Sequence, residues 1–443
     1  MTQTPEEPLP PVPDDPTAPG SGLIVLAVAA AAAGAITGLL GAAFRWTLMR
    51  ADEARIESVE FLHGTPGAGF LMIIAAAAIA VALARLIVRW VPAASGSGVQ
   101  RVEGEVRDQL PLEHKRVIPA KFVGGVLSMG AGMALGREGP TVQMGAAVGS
   151  NVGKLARLGR AANTDLGAAM AGAGLAVAFN APTGGAIFVF EELTRAFRVR
   201  LVVATILGTA CAIFVSRRVL GDSPEFTLVS TPGISLGEIA AYSLFGLMLG
   251  LMGAAYNRTV IWSLDAMARV PKLSFEAKAA VVGGIVGAVG WFAPTLAGEG
   301  ALISQQMLTA APPLAVVLVI LAVRWILGPL SYSVGTPGGL FAPLLALGAT
   351  CGALFAMVVN LAVPSLALPT AAFALVGMST MFAAVVRAPL TGVVIVAEMS
   401  ATTNLLPAAL LAAAVAVIAA TMVRSEPIYD SLLHRSIAQD ERN

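Results

Sequence analysis

Five short stretches of this 443-residue chain hold the side chains best suited to chemistry. The first is Gly-Arg-Glu-Gly-Pro at 136–140. Gly136 and Gly139 open backbone conformations closed to other residues and leave neighbouring amides unobstructed. Pro140 suits the first turn of a helix, where its missing N–H costs nothing, so the following TVQMGAAVGSNVG is expected to run on as a helix. Glu138 then sits just ahead of a helix N-terminus, where free N–H groups and the helix dipole favour an anion. Its carboxylate can take an anion's place itself, with Arg137 and Gly139 supporting it on either side. The alternative is a surface turn carrying an Arg-Glu pair. The apolar flanks weigh against that, because a glutamate inside a membrane is a functional candidate.

The stretch GTPGGLFAP (335–343) follows the same logic without the charge. Gly338 and Gly339 unwind the chain, and the amides of Leu340 and Phe341 head the next helix. GSG at 96–98 joins two apolar segments, and Ser97 offers a neutral hydroxyl donor. Tyr429, in EPIYDSLLHR, offers a phenol, although a tyrosine near a chain end is commonly an interfacial anchor. Glu191 and Glu192 end an apolar stretch; adjacent helix positions point about 100° apart, so at most one faces a shared interior. Glu103 and Lys121, separated by a polar loop, are expected to form a structural ion pair.

The elements that must position these groups belong in a membrane. Hydrophobic residues make up 56% of the chain and charged residues 12%, about half the charge a soluble globule carries. Between Trp325 and Val423 the only formal charges are Arg387 and Glu398. The chain therefore reads as an all-α polytopic membrane protein. Twenty-eight basic against 27 acidic residues, with no basic stripe, leave no footprint for nucleic acid. Cys211 and Cys351 lie in apolar surroundings, so neither a disulfide framework nor a thiol metal cluster is expected. The acidic, Pro-rich segment 1–21 lacks the basic start of a signal peptide and reads as a disordered tail.

The runs 22–44, 239–257 and 279–298 are single-pass candidates at about 1.5 Å per residue. Other apolar runs are interrupted. The segment 120–141 carries seven glycines and prolines around the Arg-Glu pair, and 325–386 is broken at 335–339 and by Pro343, Pro364 and Pro369. Helices that stop inside a membrane survive only where the loose backbone is buried in protein or lines a cavity, and transporter sites are commonly built this way. An internal match supports a repeat. APTGGAIFVFE ends at Glu191 and APLTGVVIVAE at Glu398, with Pro, Gly and Glu in one register, and each follows a Gly/Pro-rich break. Two related halves are expected, 22–220 and 236–424, with 221–235 as connector and 425–443 as a C-terminal segment. Arg45, Arg50 and Arg55 follow the first run, so the positive-inside rule alone places the N-terminus outside.

Together these motifs resemble the CLC family of chloride channels and chloride/proton antiporters. GSGVQRVEGEV (96–106) is similar to the family's GSGIPE segment, GREGPTVQMG (136–145) matches its second signature almost letter for letter, and GGLFAPLLALG (338–348) matches its GxFxP segment. AFNAPTGGAIFVFEEL (178–193), RAPLTG (387–392) and PIYDSLL (427–433) agree as well, so the resemblance runs from about 22 to 434. It implies an inverted repeat of tilted and broken helices, a homodimer in the lipid bilayer with one anion pathway per subunit, and cytoplasmic termini, against the charge reading. It also implies that Ser97, the Leu340 and Phe341 amides and Tyr429 hold a central chloride. Glu138 would be the external gating glutamate and Glu192 the internal proton-transfer glutamate, with Glu103 and Lys121 a buried polar pair near it. The family's proline and glutamate are Gln100 and Arg101 here, which changes the helix after Ser97.

The expected function is chloride transport in exchange for protons, through the plasma (inner) membrane. A passive channel of the same fold is the alternative, and Glu192 favours exchange. Ser97 and Tyr429 weigh against a fluoride exporter, and the serine, where nitrate-preferring relatives carry proline, against nitrate. An enzyme would need a buried base, metal site or cofactor anchor. His63, His114 and His434 lie in polar flanks, so no enzymatic activity, metal or cofactor is expected.

Overall fold

The computed structural model describes residues 20–110, 114–228 and 236–440. Most of the expected tail and half of the connector therefore lie outside the described residues. Helices α1 (Gly20–Leu62) and α2 (Pro66–Trp90) lead through a short 3-10 turn to α3 (Val99–Val106). Then come α4 (His114–Gly130), α5 (Glu138–Leu155), α6 (Arg160–Phe179), α7 (Pro182–Phe188) and α8 (Val199–Leu220). Next, α9 (Leu236–Ala268) and α10 (Phe275–Phe292) lead through another 3-10 turn to α11 (Ala301–Thr309). The same order resumes with α12 (Leu314–Ser333), α13 (Phe341–Ala362), α14 (Thr370–Val386), α15 (Pro389–Ser400) and α16 (Leu406–Met422). Helix α17 (Ile428–Asp440) closes the described chain.

Seven of these helices are long and apolar enough to cross a membrane, α1, α2, α8, α9, α10, α12 and α13. The protein is a multi-pass, all-helical membrane protein. The apolar run 22–44 is only the first part of α1, whose 43 residues extend about 64 Å at about 1.5 Å each. That is twice the hydrocarbon thickness of about 30 Å, so the charged stretch from Arg45 to Glu60 continues the helix into a polar zone. Ile24, Val28, Trp90, Trp262 and Phe292 are exposed on the outer faces, where lipid can cover them.

Apolar helices gain nothing from each other by leaving lipid, so they must pack closely to associate. Helix α1 lies on α8 with Gly34 against the Gly208 backbone and Gly38 against Ala212. Helix α9 lies on α16 in the same manner, with Gly246 on Ala412 and Gly250 on Ala416. At all four glycines a Cβ would strike the facing carbonyl oxygen. This spacing of four puts both small residues on one helix face.

Three breaks in the helices meet at the centre. They are the loop before α3, the loop between α4 and α5, and the loop between α12 and α13. The Gly136 N–H donates to the Gly339 carbonyl at 2.8 Å and the Gly339 N–H donates back at 2.7 Å. The Gly338 N–H donates to the Gly96 carbonyl at 3.1 Å, and the Ser128 hydroxyl to the Pro337 carbonyl at 2.7 Å. Backbone groups freed by the breaks thus satisfy one another, as irregular chain at membrane depth requires.

Candidate anion-binding site

Glu138 is the first residue of α5 and is fully buried. Its carboxylate does not fold back onto its own helix alone. Oε1 accepts the N–H of Phe341, the first residue of α13, at 2.6 Å. The expected helix-start partner is therefore supplied from the other end of the sequence. Gly136 and Gly339 bracket this carboxylate so closely that a Cβ on either would collide with it. Oε2 has no partner within the protein. Leu340, the N-cap of α13, is also fully buried, and the Phe341 ring stacks obliquely between Phe179 and Phe382. A negative group thus occupies an amide seat in an apolar enclosure.

Ser97 and Tyr429 are fully buried, and neither hydroxyl finds a hydrogen-bond partner in the protein. Both donors are neutral, and they lie within reach of one another. A buried hydroxyl left unpaired carries a cost of about 1–3 kcal/mol unless something takes its bond. Dehydrated chloride would take such bonds. Gly139 lies flush against Ser97, where a Cβ would crowd both its carbonyl and its hydroxyl. Lys121 steadies the same loop from behind. Its ammonium donates to the Gly96 carbonyl at 2.7 Å and to the Ser97 carbonyl at 3.1 Å.

That placement corrects the expected Glu103–Lys121 pair. Both residues are fully buried, but each has other partners. Glu103 is taken by Arg107, one helical turn along α3, and lies 3.8 Å from Arg195. Arg107 and Arg195 both reach Asp430, at 3.5 and 3.3 Å. Position i+4 already supplies Glu103 with a cation, while Lys121 finds buried backbone carbonyls at the loop before α3.

Glu192 sits beside this ion cluster, 2% exposed, with Oε1 unpartnered. Its neighbour Glu191 points elsewhere. Glu191 accepts the Leu390 N–H at 3.0 Å and both the N–H and the hydroxyl of Thr391 at 2.7 Å, and so caps the start of α15. Both carboxylates lie on a single π-type turn over Val189–Leu193.

The chain is similar to known proteins. A family model described as voltage gated chloride channel matches residues 77–421. The chain belongs to the voltage-gated chloride channel (CLC) family. The H(+)/Cl(-) exchange transporter ClcA of Vibrio parahaemolyticus is 33% identical over 418 residues, covering 92% of this chain and 89% of that protein. The solved structure of a slow cyanobacterial Cl-/H+ antiporter superposes with a TM-score of 0.90 at 32% identity, over 94% of this chain and 99% of that one. A CLC-type fluoride/proton antiporter is more distant in fold, with a TM-score of 0.74 at 21% identity, over 92% of this chain and 97% of that one.

Around the motif residue Arg137 this CLC chain also holds partners that its motifs did not announce. Arg137 is 6% exposed, and its guanidinium is used on three sides. It donates to the Ala178 carbonyl at 2.9 Å, to Glu299 at 3.1 Å and to Glu225 at 2.5 Å. Arg45 shares Glu225. Burial pushes the Glu225 carboxyl up, but Arg137 and Arg45 outweigh it and hold it below its usual range. These four residues line a cavity of about 480 Å³ on the Arg137 side of the site. Arg324, 1% exposed, holds the Glu299 loop by donating to the carbonyls of Leu296, Gly298 and Glu299. In sequence Glu225 and Glu299 are isolated charges in loops, and Arg324 is one arginine in an apolar helix. The single available signal was the cost of an intramembrane arginine at 324.

Proposed function

We propose that this protein carries chloride across the membrane in exchange for protons. The carrying observation is the Glu138 carboxylate seated on the Phe341 amide. Charged, that carboxylate competes with an anion for the seat. Protonated, it loses its hold on the N–H and withdraws, and chloride takes the amide with the Ser97 and Tyr429 hydroxyls. Amides and hydroxyls replace water around the ion without a full positive charge, so it binds and can leave. Glu192, buried on the Arg195–Asp430 side, accepts the proton from or delivers it to the aqueous face there. A proton on Glu138 and an anion in its seat are thus linked, which couples the opposite flows.

The same family relationship supports a homodimer in the plasma (inner) membrane with both termini cytoplasmic. The same relationship supports one pathway in each subunit. The division into halves 22–220 and 236–424 is supported by reciprocal helix caps. Glu191 caps α15, and Glu398 in turn accepts the Thr183 and Gly184 N–H groups at the start of α7, at 3.0 and 2.9 Å.

The test is purified protein in proteoliposomes with a chloride gradient and no proton gradient. Exchange drives protons uphill against the chloride flow. A passive channel gives chloride flux with no proton movement beyond the leak.

A further inference from the structure

Tyr332 has no role in the account so far, yet its hydroxyl stands beside Ser97. The residue is 3% exposed near the end of α12. The Ser97 N–H donates to its oxygen at 3.4 Å, a long bond across 235 residues of sequence. From α3 the Gln100 side chain, 6% exposed, faces the same oxygen, while Gln100 Oε1 remains without a partner. The approach depends on Gly96, at φ +60°, where a Cβ would stand 3.0 Å from the phenol oxygen. Both tyrosine hydroxyls, of Tyr332 and Tyr429, are within electrostatic reach of each other and of Glu138.

A phenol both accepts and donates. Here the backbone N–H of Ser97 takes up the accepting side, and the Gln100 carboxamide stands next to the same oxygen. The O–H proton has no acceptor among the described protein groups, and the phenol stands beside Ser97, whose own hydroxyl, like that of nearby Tyr429, is unpartnered. We propose that Tyr332 is a third hydroxyl ligand of the transported anion, with Gln100 as the residue that positions it. The inference rests on the reading of Ser97 and Tyr429 as chloride ligands.

It also gives Gln100 a task. The resembled motif has proline at this position, and proline has no side-chain donor to hold a phenol. A third O–H donor adds most for a small, strongly hydrated anion, whose lost water it replaces, and least for a large, weakly hydrated one. The Tyr332–Gln100 pair therefore sets preference for chloride over an anion such as thiocyanate.

The test is titration of chloride and of thiocyanate into the detergent-solubilised protein, as wild type, Tyr332→Phe, Gln100→Leu and the double variant. Phenylalanine keeps the ring and removes only the hydroxyl. A lost hydrogen bond to a charged group predicts chloride affinity weakened about tenfold in Tyr332→Phe, with thiocyanate affinity little changed. Gln100→Leu is expected to weaken chloride less, and the double variant to be no worse than Tyr332→Phe, because Gln100 acts through the phenol. Equal chloride affinity in wild type and Tyr332→Phe, with Ser97→Ala clearly weakened, overturns the third-ligand assignment while leaving the site intact. Parallel losses for both anions overturn the selectivity role. No chloride binding to the wild type removes the reading beneath the proposal as well.

Discussion

Glu191 and Glu192 share a helix end and a chemistry, and their surroundings separate them completely. Glu191 spends its oxygens on three donors at the start of α15, whereas Glu192 is buried with one oxygen free beside Glu103, Arg195 and Asp430. Glu192→Gln is therefore expected to stop proton transport while anion flux continues. Glu191→Gln is expected to be milder, because an amide oxygen still accepts from an N–H. Simultaneous proton and chloride flux assays check this, and loss of coupling in the Glu191 variant would reverse the assignment. Adjacent helix positions made it legible that only one of the pair could face inward. Which one came from the motif, since the π-type turn that holds them has no letter in the sequence. Glu103 and Lys121 mark the limit of such reading. Their burial was implied by the family resemblance, but Arg107 and the Ser97 loop decide their partners. Arg107, four residues along, is the nearer cation by helical spacing.

At the level of elements, the eleven-residue match ending at Glu191 and Glu398 becomes a physical exchange. Each glutamate satisfies orphan N–H groups at the proline-led start of the other copy's helix. Glu398→Ala frees the Thr183 and Gly184 amides at α7, the helix that leads to Glu192. The expected loss is about 1 kcal/mol, as for other helix caps, read as a lower midpoint of thermal unfolding in detergent. An unchanged midpoint would mean that water or lipid headgroups serve those amides equally well. The sequence pattern disclosed the repeat and the breaks at 136–140 and 335–339. It did not disclose that Gly136 and Gly339 hydrogen-bond to each other, because pairing between breaks two hundred residues apart depends on how both halves pack. Helix α1 runs past the apolar stretch 22–44 to Leu62, because a helix continues through charges wherever they reach a polar zone.

At the scale of the whole molecule, Arg137 ties three distant parts of the chain to the start of α5. They are the end of α6, the loop after α8 and the loop before α11. Because Glu225 titrates below the ordinary 4.5 in the folded protein, its contribution to stability is present above the unfolded pKa. It fades as pH falls through the lower folded value. Glu225→Gln is expected to lower the unfolding midpoint at neutral pH and to flatten its decline in acid; equal acid slopes in both proteins would remove Glu225 from that role. The fold class was largely legible from apolar length and glycine breaks, while the candidate anion site needed the family resemblance besides. The clamp was not, because loop charges show their partners only once the helices are assembled. The central claim is that one carboxylate, Glu138, is both the occupant of the anion seat and the carrier of the proton. Glutamine copies its protonated shape and carries no proton. The direct measurement is chloride-driven proton movement and chloride flux, followed together across pH in proteoliposomes of Glu138→Gln. The account predicts chloride flux that persists, shows no coupled proton movement and loses most of its pH dependence. Proton movement surviving in that variant would contradict it.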